Sequence, residues 1–287
     1  MKLCNLKTAD GNFIGLKKDG KLWISAINEK ELGGPRSIDE ALRLKIDPAR
    51  LKDKLMENLQ PLDQNEDEVK FNPVVISPGK IICVGLNYRS HANEVNDKLM
   101  ETPVLFSKFS DSVLEHNGSV VIDDFATDID YEAELGILIG RHTFRIRKED
   151  SLKHAFGYFP ANDISARDLQ YRTSQWLLGK TLPGYAPIGP YVTTADEIQN
   201  PNSLNISLRL NGEIRQNSNT SNMIFPCDYL IWYVSNYISL EPGDIILTGT
   251  PEGVIYGKPP DQRVWIKKGD ITEVSIERLG NLVTKFV

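Results

Sequence analysis

The stretch "DYEAELGILIG", Asp130 to Gly140, sets two glutamates one residue apart and then runs straight into an apolar segment. Read as a strand, it puts Glu132 and Glu134 on one face and Ala133 on the other, because side chains two apart share a face. Two like charges side by side repel each other and lose solvation on burial, a cost that a bound cation offsets. An isolated Glu-x-Glu is ordinarily a solvated strand edge. Here the apolar continuation favours a buried pair.

Outward from this stretch the pattern stays mostly β. The segments "KIICVGLN", "PVLFSKF", "SVVI", "APIGPYVTT", "LNISLRLNGEIRQ", "GDIILTG" and "ITEVSIERLG" all read as strands, and Asn211-Gly212 marks a tight hairpin. Helical patterns are confined to "EDSLKHAFGY", "ISARDLQYRTSQW" and "CDYLIWYVSNYI". Strands this numerous, without regular helical crossovers, predict an α+β, mostly β chain built on a β-roll or barrel-like core. Upstream, Asp10-Gly11 and Asp19-Gly20 predict turns joining three short strands. Ser37 with Glu40 forms a capping-box pattern, and Asp47-Pro48 opens a second helix. The acidic "DQNEDE", Asp63 to Glu68, reads as a linker. The expected organisation is a small N-terminal domain of meander and helices, residues 1–73, and a larger domain, residues 74–287.

Composition narrows the partners. A chain of 287 residues with 40% hydrophobic content buries a proper core. The net charge of −6, with lysine and arginine scattered, gives no footprint for nucleic acid or an anionic membrane. No apolar run approaches the roughly 20 residues that span a bilayer, and "MKLCNLKTADG" lacks the apolar region of a secretory signal. Cys4, Cys83 and Cys227 have no metal-like spacing, so the expectation is a reduced, cytoplasmic compartment.

Several side chains are candidates for chemistry. Asp163, in "YFPANDISARDLQ", serves either as a third carboxylate beside the glutamate pair or as a helix N-cap, and spacing does not choose between them. His91 and Glu94 share one helical turn. A carboxylate there orients the imidazole and raises its basicity, giving a general base for water, with an exposed surface pair as the plain alternative. Lys180 precedes "TLPGYAPIGP" and presents either an oxyanion-binding ammonium or a solvated charge. Arg167 and Gln170 fall on one helix face, where Arg167 grips a substrate carboxylate or pairs with Asp168. In "TGTP", Thr248 to Pro251, the backbone amides and Thr250 suit a distal carboxylate, or simply a turn. Lys108 in "LFSKF" is a further substrate-binding candidate.

The motifs "VGLNYRSHANE", "DYEAELGILIG", "ANDISARDLQ", Gly179-Lys180, "PIGPYVTT" and "ILTGTPEGV" occur in an order and at separations that resemble the fumarylacetoacetate hydrolase superfamily, over about residues 78 to 280. The resemblance implies that Glu132, Glu134 and Asp163 bind Mg²⁺ or Mn²⁺, and that the His91–Glu94 dyad activates water. It also supports Lys180 in the catalytic set and a homodimer formed through the catalytic domain. "GLNYRSHANE" offers no fourth carboxylate at its beginning, and Phe109 stands where many relatives have proline. Three monodentate carboxylates fill half of an octahedral shell, leaving about three positions for water or a chelating 2-oxo acid. An all-oxygen donor set favours Mg²⁺ or Mn²⁺ over Zn²⁺.

The implied activity is metal-dependent C–C bond cleavage of a small 2-oxo acid, by oxaloacetate decarboxylation or by hydrolysis of an acylpyruvate or 2,4-diketo acid. The alternatives are a hydratase or isomerase of a 2-oxo-enoic diacid, and an interaction protein whose metal is structural. The polar "NEVNDKLMETP" after the dyad reads as a lid that orders over substrate.

Overall fold

The computed structural model describes every residue of the chain except 10, 26–33, 47, 58, 63–65 and 95–99. The expected Asp10-Gly11 turn, the Asp47 cap, and parts of the acidic linker and the lid segment therefore lie outside the described residues. The mostly β expectation holds. Eleven strands among the described residues form one open sheet, and five more form a second.

The glutamate-bearing strand, Ala133–Ile139, lies in the interior of the large sheet and is buried along its whole length. On one side it pairs antiparallel with Ala155–Asn162, from Ala133↔Asn162 onward. On the other side it pairs with Ile245–Leu247. Its alternate residues Ala133, Leu135, Ile137 and Ile139 enter one hydrophobic cluster, while Leu138 enters another. A strand packed on both faces has no solvent side, so Glu134 is buried by position. Gly136 continues the Glu134 face, where a Cβ would lie 2.2 Å from the Phe159 ring.

Beyond Ile245–Leu247 the sheet continues through Ile81–Gly85 to Val104–Lys108. In the other direction it passes through Val192–Thr194 to Lys2–Thr8, where the N-terminal meander joins it at Lys2↔Thr193 and Leu3↔Val192. Asp19 and Gly20 take φ of 51° and 75° between the paired Lys18 and Lys21, the geometry of a tight hairpin. Asn211 and Gly212, with φ of 52° and 85°, do the same in the second sheet. Ser37 Oγ accepts the Glu40 amide at 3.2 Å, as its capping pattern requires.

Two helix expectations fail. "EDSLKHAFGY" is a 3₁₀ segment, Lys148–His154, followed by the strand Ala155–Asn162. "ISARDLQYRTSQW" retains only one helical turn, Arg167–Gln170, with a second at Leu177–Lys180. In the first, tertiary burial of the strand overrode a helical apolar spacing. The helix Cys227–Ser235 forms as expected.

Cys4, Cys83 and Cys227 are free and buried. Burial pushes all three thiols above their ordinary range. The native protein is therefore expected to leave a thiol reagent such as Ellman's disulfide unreacted, and to react at all three cysteines only in denaturant. Rapid native labelling would contradict this packing.

Candidate active site

Three elements bring the carboxylates together. Glu134 comes from the interior strand, and Glu132 from the residue just before it, outside the strand proper. Asp163 follows the neighbouring strand Ala155–Asn162, and its amide donates to the Glu132 carbonyl at 2.9 Å. Each residue offers one carboxylate oxygen, all within 4.8 Å of one another, and all three side chains are buried. Asp163 caps nothing: the N-cap position of Arg167–Gln170 is Ala166, which makes no side-chain cap bond.

Three cations enclose the cluster. Lys180 Nζ donates to Glu132 Oε2 at 2.6 Å and to Asp163 Oδ2 at 2.8 Å. Arg167 donates to Glu132 Oε1 at 2.7 Å, to Asp130 Oδ2 at 2.9 and 3.0 Å, and to Gln170 Oε1 at 2.9 Å. Its partners are Asp130 and Glu132, not Asp168. Lys108 Nζ lies 2.6 Å from Asp163 Oδ1 as an ion pair. Its three donors, however, go to the carbonyls of Ile164, Lys180 and Tyr185. Asp163 Oδ1 is thus buried without a hydrogen bond.

The electrostatics single out Glu134. Burial raises the pKa of Glu132, but Lys180 and Arg167, with His91, overcome it and hold the carboxyl below its usual range. For Glu134, burial is reinforced by Asp163 and Glu132, so its carboxyl sits well above the usual range despite Lys180 and the Gly249 amide. Burial likewise pulls Lys108 down, against the attraction of Asp163. Lys180 is raised, its carboxylate neighbours outweighing burial. Three buried carboxylates converging within 4.8 Å, with Glu134 lacking an ion pair of its own among the described residues, make a cluster that a hard divalent ion would complete. The residues fit such an ion, with Glu132, Glu134 and Asp163 as its ligands.

The rest of the cleft is built around this cluster. His91 and Glu94 lie on the short helix Arg89–Glu94, with Nδ1 to Oε2 at 3.3 Å. The Gly253 amide fixes Glu94 with contacts of 3.0 and 3.2 Å to its two oxygens. The Gly249 amide donates to Glu134 Oε2 at 2.8 Å, so it is already taken. Gly249 has φ of +94°, and a Cβ there would meet Asn87 at 2.8 Å. Thr250 Oγ1 accepts from Gln216 Nε2 at 2.9 Å. His91, Glu132, Glu134, Arg167, Gln170, Lys180 and Thr250 all line one cleft with Phe106, Trp176, Tyr171 and Tyr256. It encloses about 400 Å³, its open mouth included. Lys108 lies behind it, holding Asp163.

Two supporting residues escaped the sequence reading. Asp130 anchors Arg167 and accepts the Ile255 and Tyr256 amides at 2.8 and 3.0 Å. Its place in the quoted acidic stretch was a signal. Gln216, which accepts the Ala133 amide at 2.9 Å and donates to Thr250, gave none.

A buried carboxylate triad gathered at the ends of two interior strands, enclosed by cations and faced by a histidine–glutamate pair, defines an acid-handling enzyme cleft. The family described as fumarylacetoacetate (FAA) hydrolase C-terminal matches residues 80–287. The chain is 44% identical over 222 residues to the mitochondrial oxaloacetate tautomerase of Rattus norvegicus, covering 77% of this chain and 70% of the relative. It is 42% identical over 218 residues to a fumarylacetoacetate hydrolase domain-containing protein 2 homolog of Dictyostelium discoideum, covering 72% and 71%. The solved fumarylacetoacetate hydrolase of Exiguobacterium antarcticum superposes with a TM-score of 0.87 at 31% identity, over 100% of this chain and 99% of that one. This chain belongs to the fumarylacetoacetate hydrolase superfamily. It is an enzyme, which sets aside the reading as an interaction protein with a purely structural metal.

Proposed function

We propose that the enzyme interconverts the enol and keto forms of oxaloacetate, a short 2-oxo diacid, using Mg²⁺ or Mn²⁺ held by Glu132, Glu134 and Asp163. The observation that carries the reading is the buried triad, two of whose members, Glu132 and Glu134, line the same cleft as His91. The name of the rat relative, an oxaloacetate tautomerase, supports isomerisation ahead of C–C cleavage. A bound divalent ion would supply a Lewis acid for the negative charge that develops on the substrate oxygens.

The chain's own residues supply the proton transfer. Glu94, pinned by the Gly253 amide, holds His91 through Nδ1 and leaves Nε2 as the base. His91 Nε2 takes the C3 proton, the C3–H electrons form the C2–C3 double bond, and the C2 oxygen takes the charge. Return of a proton to that oxygen completes the enol, and reversal of these steps gives the keto form. Lys180, held in place by Glu132 and Asp163, adds positive charge beside the developing oxyanion.

A second reading is C–C cleavage: its hydrolytic form uses the same dyad, because an imidazole so held equally activates water, whereas decarboxylation needs no base. Proton NMR in D₂O separates the two. Oxaloacetate is followed with Mg²⁺ or Mn²⁺ and with EDTA, against a protein-free control for each. Tautomerisation predicts metal-dependent acceleration of C3 exchange and enol loss without extra pyruvate. Pyruvate formed at the rate of substrate loss would transfer the assignment to decarboxylation. No acceleration of either would defeat both readings for this substrate.

The assembly we propose is a homodimer, supported by Val121 and Phe125, 61% and 60% exposed beside an apolar groove. Analytical ultracentrifugation tests it, and a monomer at micromolar concentration would refute it. The buried free cysteines support a reducing compartment, and the cytoplasm remains our proposal. Relatives named as mitochondrial make mitochondria the alternative. Among the described residues, no helix is long and apolar enough to cross a membrane.

A further inference from the structure

The charges of the cleft do not provide for both ends of a diacid. Asp130, Glu132, Glu134 and Asp163 face Arg167, Lys180 and Lys108, and every one of those cations is engaged by carboxylates of the protein. Fully ionised, the seven groups carry one net negative charge. A divalent ion turns that into one positive charge, which suits a single substrate carboxylate. The Gly249 amide is also spent, on Glu134.

One further cation packs on the ring of Tyr256, a residue of the cleft wall. Arg263 follows the 3₁₀ turn Pro260–Gln262, and its Nε donates to the Lys258 carbonyl at 2.9 Å. Its guanidinium lies 4.5 Å from the centroid of the Tyr256 ring and 6.0 Å from that of Trp265. Tyr256 lines the cleft, stacks on Tyr171 at 4.9 Å, and lies 5.5 Å from the Arg167 guanidinium. Both guanidinium carbons are thus measured to one ring, so they stand no more than about 10 Å apart. Among the described residues, no carboxylate forms an ion pair with Arg263. The aromatic stack restricts its rotamers and leaves Nη1 and Nη2 available.

We propose that Arg263, positioned by Tyr256, binds the distal carboxylate of the substrate and makes the cleft selective for dicarboxylic over monocarboxylic 2-oxo acids. The inference rests on the proposed reading in taking a 2-oxo acid as the substrate. It adds the residue that recognises the second acid group, a role distinct from that of Arg167, four of whose five N–H groups are taken by Asp130, Glu132 and Gln170.

The test uses the full chain loaded with Mg²⁺, as wild type, Arg263→Gln and Arg263→Lys. C3 exchange in D₂O is followed for oxaloacetate and for the monocarboxylate 2-oxobutyrate, and calorimetry measures binding of unreactive succinate and butyrate. Arg263→Gln is expected to raise KM for oxaloacetate about tenfold and weaken succinate by a similar factor. The kcat for oxaloacetate and the KM for 2-oxobutyrate should stay within about twofold. Arg263→Lys should recover part of the loss, since it keeps the charge without the planar fork. Equal losses for diacid and monoacid, or no loss for either, would overturn the assignment. Succinate binding that depends on Arg263 in a protein exchanging neither oxo acid would uphold the recognition site and refute the tautomerase reading instead. Succinate binding indifferent to Arg263 would refute the recognition site whatever the activity.

Discussion

Replacing Asp163 with alanine is expected to cost both the metal and much of the stability. Its carboxylate lies between two buried ammonium groups, Lys108 at 2.6 Å and Lys180 at 2.8 Å, with the Lys108 and Asp163 side chains both 0% exposed. Removing one partner of a buried pair leaves the other charge desolvated and unpaired, which costs about 3–5 kcal/mol. For a chain of this size that lowers the melting temperature by on the order of 10 °C. Mn²⁺ should raise the melting temperature of the wild type by binding only the native state, and should do nothing for Asp163→Ala. The double variant Asp163→Ala/Lys108→Met separates electrostatics from packing. Without Lys108 there is one fewer stranded ammonium, so the double should be less destabilised than the summed singles, by about 1–3 kcal/mol. Strict additivity in thermal melts, or a full Mn²⁺ shift in Asp163→Ala, would refute this account of the triad.

That centre was partly legible in the sequence, for reasons that differ residue by residue. Glu132 and Glu134 were readable because a period of two puts them on one face, and the apolar run after them meant burial. Asp163 was not decidable, since an aspartate before a helical turn looks the same as a cap or as a ligand. Its role is set by Lys108 and Lys180, 55 and 17 positions away, and no local pattern carries that. Lys108 read as a substrate-binding candidate, and it is 2% exposed, with its three donors satisfied by carbonyls. The strand Ala155–Asn162 was mistaken in part for helix because all eight of its residues are buried. Full burial removes the polar alternation that marks a strand, and periodicity alone then does not decide. The hairpins at Asp19-Gly20 and Asn211-Gly212 were legible because positive φ is demanded locally and the chain supplies the residues that tolerate it.

His91→Ala is expected to lower metal-dependent C3 exchange of oxaloacetate by about 10²–10⁴-fold, the usual contribution of a positioned general base. Mn²⁺ binding should be unaffected, because the proposed ligands are the three carboxylates and His91 bonds to Glu94 instead. Glu94→Gln is the sharper probe. Glutamine retains an oxygen for the Gly253 amide but loses the charge that orients the ring. The loss should be smaller than for His91→Ala and fall on kcat rather than KM, since Glu94 reaches the substrate only through the imidazole. The pair also ranks the competing chemistries. Isomerisation needs a base at C3 and hydrolysis needs one for water, so both should collapse in His91→Ala. Decarboxylation needs neither, because departing CO₂ leaves its electron pair to form the enolate directly. Single-turnover NMR with both variants reads exchange and decarboxylation on oxaloacetate, and hydrolysis on acetylpyruvate. If His91→Ala left C3 exchange within tenfold of wild type, the base would lie elsewhere in the cleft and the proton-transfer scheme would fail.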